Sequence, residues 1–155
     1  NIEFVALPSP IVAEIRSTRT DSYGNTVEQG SSDGDSYPCR HCLTETPKGH
    51  GVLTLAHRPF QTKNPFAETG PIYLCADACE SARPTNQPPV ILRSDRYLVR
   101  GYSEDERIVY GSGRIVATDQ IAGYATELFS DPQIAFADVR SASNNCFLCR
   151  IRPAS

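Results

Sequence analysis

The chain has 155 residues, of which 39% are hydrophobic and 21% are charged, and its formal net charge at pH 7 is −3. This length and composition are those of a folded chain with a real hydrophobic core, and they exclude wholesale disorder. The net negative charge gives no general attraction to nucleic acid or to anionic lipid. No stretch approaches the roughly 18 apolar residues of a membrane span, so we expect neither a membrane nor a nucleic acid as partner.

Cysteine usage bears on the cellular compartment. The chain has six cysteines, a density well below that of small disulfide scaffolds, and their paired spacing favours metal or redox chemistry over structural disulfides. We therefore expect a reducing, cytoplasmic setting. The sequence starts at Asn1 and contains no methionine, which leads us to expect that a segment preceded it.

The first 38 residues predict one strand, one short helix and a long polar stretch. Ile2–Val5 has the pattern of a short strand, and Ser9 is a capping residue by type for a helix that reaches about Arg16. Residues 17–38 are polar, with Val27 as their only aliphatic residue. We expect this stretch to be a long loop or flap within the domain.

The middle of the chain predicts strands. Residues 52–56 and 72–74 are β-branched or aliphatic runs bounded by turn residues. Residues 96–102 and 107–110 have the pattern of a hairpin around an acidic turn.

The last third predicts one longer helix and a second hairpin. Thr118 is a capping residue by type, and apolar residues recur at helical spacing until Pro132. Residues 134–139 and 147–151 then form a predicted hairpin. The absence of a steady βαβ rhythm predicts an α+β fold, a mostly antiparallel sheet with one long and one short helix, in a single domain covering residues 1–155.

The cysteines form three close pairs, and this spacing is the strongest chemical signal in the chain. Two thiols three or four residues apart can bind one metal ion, and zinc accepts four such ligands tetrahedrally. The pairs are Cys39 with Cys42, Cys75 with Cys79, and Cys146 with Cys149.

Local geometry ranks these pairs. A knuckle after Pro38 and one helical turn after the strand at 72–74 allow the first two pairs to converge. Positions 146 and 149 face opposite sides of a strand, so we expect Cys149 to be a buried thiol. The expected metal ligands, with zinc as the expected ion, are therefore Cys39, Cys42, Cys75 and Cys79, and Cys146 is the alternative ligand.

Two alternatives remain open. The cysteines can be reduced and buried with no metal. The chain can also be a thiol- or metal-dependent enzyme, redox or hydrolase, that uses Cys39, His41, Cys42 and Cys146. No zinc-hydrolase signature is present, and no catalytic residue is assigned. His41 and His57 are each expected at the surface or beside the metal ligands, not among them.

Several stretches resemble a bacterial family designated domain of unknown function 1203. The resemblance implies a single small bacterial domain with no assigned activity. It rests on the segments Pro38-Cys39-Arg40-His41-Cys42-Leu43, His57-Arg58-Pro59-Phe60, Gly70-Pro71-Ile72-Tyr73-Leu74, Ser94-Asp95-Arg96-Tyr97-Leu98-Val99-Arg100-Gly101-Tyr102 and Arg140-Ser141-Ala142-Ser143-Asn144-Asn145-Cys146-Phe147.

Taken together, the sequence predicts a non-enzymatic domain whose cysteines hold one structural zinc ion. The loop at 59–68 is a candidate contact surface for a partner or a small ligand, and its Phe60 and Phe66 are equally suited to fill the core. No particular partner or oligomeric state is predicted.

Overall fold

The computed structural model describes all residues from 1 to 155. Eight strands, two α-helices and one turn of 3-10 helix make up the regular structure. In chain order they are β1 (Ile2–Val5), α1 (Ser9–Thr18), β2 (Glu28–Ser31), β3 (Gly51–His57), β4 (Gly70–Cys75), β5 (Arg96–Tyr102), β6 (Arg114–Ala117), the 3-10 turn (Thr118–Gln120), α2 (Ile121–Leu128), β7 (Phe136–Ser141) and β8 (Phe147–Pro153).

The strands form two antiparallel sheets. The larger sheet has five strands in the order β1-β8-β7-β5-β6, and the smaller has three in the order β2-β3-β4. The β7–β8 ladder contains an irregularity between Val139 and Arg140. The first and last strands of the chain pair with each other, Ile2 opposite Pro153.

The predicted α+β fold with one long and one short helix is wrong. Strands hold 34% of the residues and helices only 14%, and the longest helical run has 11 residues. The apolar spacing continues to Pro132, but the amide of Phe129 already bonds to carbonyl oxygens both four and two residues back. The next two amides, of Ser130 and Asp131, bond three residues back. Pro132 also disfavours helical dihedrals at the residue before it, so the helix tightens and ends.

Two strand assignments also differ from the sequence patterns. β2 lies inside the polar segment 17–38, and all four of its residues are exposed, so no apolar alternation marks it. It is held by its ladder with β3. The predicted strand at 107–110 is absent, and β5 pairs with β6 instead. Ile108 makes only an isolated bridge to Tyr102.

Each sheet packs one helix on an apolar core. A cluster of 18 buried residues, among them Val99, Val139 and Ile121, lies between the larger sheet and α2. A cluster of 11, among them Val12 and Leu53, lies between α1 and the smaller sheet. Each fully buried aliphatic side chain contributes about 1.5–3 kcal/mol. Neither helix combines the length and apolarity that crossing a membrane requires.

The larger sheet carries a buried ion pair on the face turned away from α2. Asp138 is 0% exposed, and it accepts hydrogen bonds from Arg150 Nε at 2.7 Å and from Arg150 Nη2 at 3.1 Å. The guanidinium of Arg150 also lies 4.0 Å from the centre of the Phe136 ring. The two paired residues are directly opposite in the β7–β8 ladder.

We expect Asp138→Asn to lower the free energy of unfolding by about 2–3 kcal/mol, because it leaves the charge of Arg150 without its buried carboxylate. The matched control is Glu3→Gln, which removes the partner of Arg152, a side chain that is 51% exposed. That change should cost less than about 1 kcal/mol. Urea denaturation of both variants measures the difference, and equal losses would contradict a structural role for the buried pair.

Candidate metal centre

The first cysteine pair lies in a tight turn. The amide of Leu43 donates to the carbonyl oxygen of Cys39 at 2.9 Å, and the amide of Cys39 donates to the carbonyl oxygen of Thr44 at 3.0 Å. Leu43 has a φ of 54°, a left-handed conformation that reverses the chain. The amide of His41 approaches Cys39 Sγ to 3.4 Å. The turn therefore holds Cys39 and Cys42 close together.

The second pair begins at the last residue of β4. The amide of Cys75 donates to Cys39 Sγ at 3.3 Å, which joins the two pairs. The helical turn predicted between Cys75 and Cys79 is absent, and the chain bends there instead. The reason is that the amide of Ala76 donates to the carbonyl oxygen of Gly51 at 2.9 Å. Pairing with β3 therefore continues one residue past the end of β4, where a helical turn would have to begin.

The four sulfur atoms of these pairs converge on one point. All of them lie within 4.8 Å of one another. Cys39 Sγ is 3.9 Å from Cys79 Sγ, and Cys42 Sγ is 3.9 Å from Cys75 Sγ. A tetrahedral ion with sulfur at about 2.3 Å requires sulfur atoms about 3.8 Å apart. A disulfide requires about 2 Å, and all six cysteines are free. The group could therefore hold a metal ion.

Charged and polar side chains surround Cys79. Arg16, on α1, donates to Cys79 Sγ at 3.2 Å and to the carbonyl oxygen of Cys75 at 3.1 Å. His41 Nδ1 lies 3.1 Å from Cys79 Sγ, and its Nε2 lies 2.8 Å from Ser9 Oγ. Ser9 makes no capping hydrogen bond, because α1 begins after Pro8 and the hydroxyl is used by the histidine. No pattern in the sequence indicates the role of Arg16.

The thiols perturb one another's ionisation. Hydrogen bonds from the thiols of Cys39 and then of Cys75 hold the pKa of Cys42 far below its usual range. The pKa of Cys75 is raised instead, first by its hydrogen bond with Cys39 and then by that with Cys42. Burial raises the pKa of Cys79 to about 11. A cation at the centre of this group would favour the thiolate form of every ligand.

The third cysteine pair lies elsewhere. Cys149 is fully buried in β8, and burial raises the pKa of its thiol. Cys146 lies just before β8, where its amide donates to Ser141 Oγ at 2.9 Å. Neither belongs to the group of four, so the alternative ligand Cys146 is not brought to it. Cys146 is thereby also separated from Cys39, His41 and Cys42, the other residues of the alternative enzyme site.

The three histidines have different surroundings. His41 is buried and contacts Cys79, as described above. His50 is exposed at the end of a turn. His57 is 7% exposed, and its Nε2 has no hydrogen-bond partner. Burial first, and then the charges of Arg58 and Arg150, lower the pKa of His57 to about 4. The expectation that His57 lies at the surface or beside the ligands is therefore wrong.

A second polar cluster was missed entirely from the sequence. Glu68 accepts hydrogen bonds from Arg100, from Tyr102 Oη at 3.2 Å and from Asn145 Nδ2 at 2.9 Å. Arg140 is 3% exposed, yet its Nε and Nη2 have no hydrogen-bond partner. Only charged residues at inward-facing strand positions could have revealed this cluster. Tyr102 is itself fully buried.

Residues 36–152 match the model of a protein family described as "Protein of unknown function (DUF1203)". The chain belongs to this family. The resemblance drawn from the sequence segments is thereby confirmed, and all six cysteines lie within the part that matches DUF1203. Arg16 and Ser9, which support the thiol group from α1, lie outside the DUF1203 match. No curated protein and no solved structure matches the chain.

The buried His57 makes stability depend on pH. Its pKa falls from an ordinary 6.5 to about 4 on folding, so the unfolded chain binds its proton first and the fold loses stability as pH falls below about 6.5. Between pH 7 and pH 5 this loss amounts to about 2 kcal/mol. We expect His57→Gln to reduce the loss over that range by about this amount. Denaturant unfolding of both proteins at the two pH values measures it, and parallel losses would contradict the prediction.

Proposed function

We propose that Cys39, Cys42, Cys75 and Cys79 bind one zinc ion, and that this ion stabilises a domain without enzymatic activity. The observation that carries the proposal is the convergence of four sulfur atoms within 4.8 Å of one another. Four thiolates are the ligand set of structural zinc sites. Catalytic zinc sites instead use three protein ligands and keep one position open for water or substrate.

The surroundings of the sulfur atoms fit this ligand set. Four thiolates around Zn²⁺ carry a net charge of about −2. Arg16 donates to one of the sulfur atoms, and the buried side chain of Arg40 follows the first ligand in sequence. The amides of His41 and Cys75 donate to Cys39 Sγ. Such outer contacts orient the ligands and strengthen metal binding.

The position of the site explains what the ion would do. Its ligands come from the 39–42 turn, the end of β4 and the chain beyond it, and Cys39 and Cys75 belong to the apolar core of the smaller sheet. That core has only 11 buried residues. An ion shared by three segments restricts their separation in the folded state and has no equivalent in the unfolded chain. The metal would therefore stabilise the part of the chain with the smaller core.

Metal content and thiol counting test this proposal. Untagged protein purified under reducing conditions should contain about one zinc per chain, and a chelator should expose four additional thiols to a thiol reagent. If the zinc concentration exceeds the dissociation constant about a thousandfold, its removal costs about 4 kcal/mol. That loss lowers Tm by about 10 °C for a chain of this size. Protein that contains no metal but has one or two fast-reacting thiols would contradict the zinc proposal and favour thiol redox chemistry.

Two serine variants distinguish a proposed metal ligand from a cysteine outside the site. Cys42→Ser removes one of the four converging sulfur atoms, so zinc content should fall well below one per chain. Cys146→Ser is the matched control because Cys146 is half-buried and outside the group. It should keep one zinc and an unchanged Tm. Loss of zinc in Cys146→Ser together with retention in Cys42→Ser would overturn the ligand assignment.

Arg16 provides a test that keeps all four ligands. Arg16→Gln removes the donor to Cys79 Sγ, and we expect zinc affinity to fall about 10- to 100-fold, as measured by competition with a chromophoric chelator. Arg19→Gln is the control on the same helix end, since Arg19 bonds through its side chain only to Gln29 in an exposed pair. Equal affinities for the two variants would show that the Arg16 contact does not support the site.

A further inference from the structure

A cavity of about 410 Å³ lies outside the thiol group. Its walls come from the β1–α1 connection, the chain just after β3, the segment at 81–84 and the strand β8. Cavities of about 300–1,000 Å³ are typical of small-ligand sites. The zinc proposal assigns no role to this space.

Much of the lining is apolar. Leu7, Phe60 and Phe147 are buried and contribute to its walls, and Ile11, 39% exposed, lies on α1 among the lining residues. Phe60 belongs to the loop that the sequence marked as a candidate contact surface. These side chains offer a flat aromatic and aliphatic surface against which an apolar ligand body would lose water.

Cations outnumber carboxylates in the lining, although the whole chain is acidic. Glu106 is the one carboxylate, and its oxygens already accept hydrogen bonds from the amides of Gln61 and Thr62. Two of the three arginines, Arg150 and Arg152, are paired with carboxylates of their neighbouring strands. The third arginine has no carboxylate partner.

Arg58 is that third arginine. It is half-buried, and the one hydrogen bond of its side chain runs from Nε to the carbonyl oxygen of Phe60 at 3.3 Å. No carboxylate lies within ion-pairing distance of its guanidinium, and neither terminal nitrogen donates a hydrogen bond to the protein. His57, the preceding residue, also lines the cavity and has a buried Nε2 without a partner. A buried polar atom without a partner destabilises the fold, and a ligand or a bridging water can offset that cost.

We propose that this cavity binds a small organic anion whose carboxylate or phosphate pairs with Arg58 and whose apolar body packs against Phe60 and Phe147. The guanidinium presents two parallel N–H donors, which match the oxygen spacing of either head group. The site lies apart from the four thiols and requires no chemistry from the metal. Its ligand class follows from the unpaired arginine beside an aromatic wall.

The test titrates three ring compounds into the protein as purified, with its native metal content. Benzoate and phenyl phosphate carry the two proposed head groups, and benzyl alcohol has the same ring without charge. Backbone amide shifts in two-dimensional NMR report both affinity and place. We expect saturable shifts at residues 57–61 and 147–150, with at least one anion binding at least fivefold tighter than benzyl alcohol. The tighter anion identifies the head group as carboxylate or phosphate.

Two pairs of variants make the result specific. Arg58→Gln should weaken anion binding about tenfold, the size of one lost charge-assisted hydrogen bond, and leave benzyl alcohol unchanged. Arg96→Gln is its control, because Arg96 is exposed, removes the same charge and lines no part of the cavity. Ile11→Glu places a negative charge among the lining residues and should also weaken the anions. Ile115→Glu is its control at an exposed isoleucine on β6.

The proposal is overturned by any of three results. Benzyl alcohol can bind as tightly as both anions, Arg96→Gln can weaken binding as much as Arg58→Gln, or the shifts can fall outside the cavity lining. Absence of saturable binding at 10 mM of every probe, about the weakest affinity that a site of this size would show, also overturns it. Unchanged Tm values for the variants show that each comparison is made on folded protein.

Discussion

One buried residue, Arg40, forms hydrogen bonds to both sheets of this protein. Arg40 is 3% exposed, and it donates to the carbonyl oxygen of Phe147 on the larger sheet at 2.7 Å and to that of Pro38 at 2.6 Å. Its amide donates to Tyr73 on the smaller sheet at 3.1 Å. Burial lowers the pKa of Arg40 to about 10, so the group remains charged at neutral pH. Burying that charge costs several kcal/mol unless its donors are satisfied, so the two sheets must keep the relative position that satisfies them.

This constraint and the first cysteine pair lie in the same turn, residues 39–42. Arg40 lies between Cys39 and Cys42, so the turn that presents two sulfur atoms also places the guanidinium between the sheets. An ion held by the four thiols would fix the turn from one side, and the hydrogen bonds of Arg40 fix it from the other. Arg16 adds α1 to the same assembly through Cys79. The smaller sheet, with its modest apolar core, therefore depends on polar and sulfur contacts more than the larger sheet does.

Sequence patterns predicted those elements whose own residues carry the apolar pattern or the cysteine spacing that the structure uses. The strands β7 and β8 have strong apolar patterns, and the cysteine spacings marked the segments that converge. β2 has four exposed residues and exists only because β3 offers it a ladder. The bend after Cys75 follows from the bond between Ala76 and Gly51, a tertiary contact. α2 ends at Leu128 because Pro132 lies ahead of it. The contacts of Arg16 depend on Cys75 and Cys79, which are distant in sequence.

The 39–42 turn also reaches the walls of the cavity. The amide of Leu7 donates to the carbonyl oxygen of Arg40 at 3.0 Å, and the amide of Ala82 donates to that of His41 at 3.0 Å. With the bond from Arg40 to Phe147, three separate walls are anchored to one turn. An ion at the thiol group and an anion in the cavity would therefore be thermodynamically linked, to the extent that either binding event moves this turn. If the ion strengthens binding in the cavity, the cavity ligand strengthens binding of the ion by the same free energy.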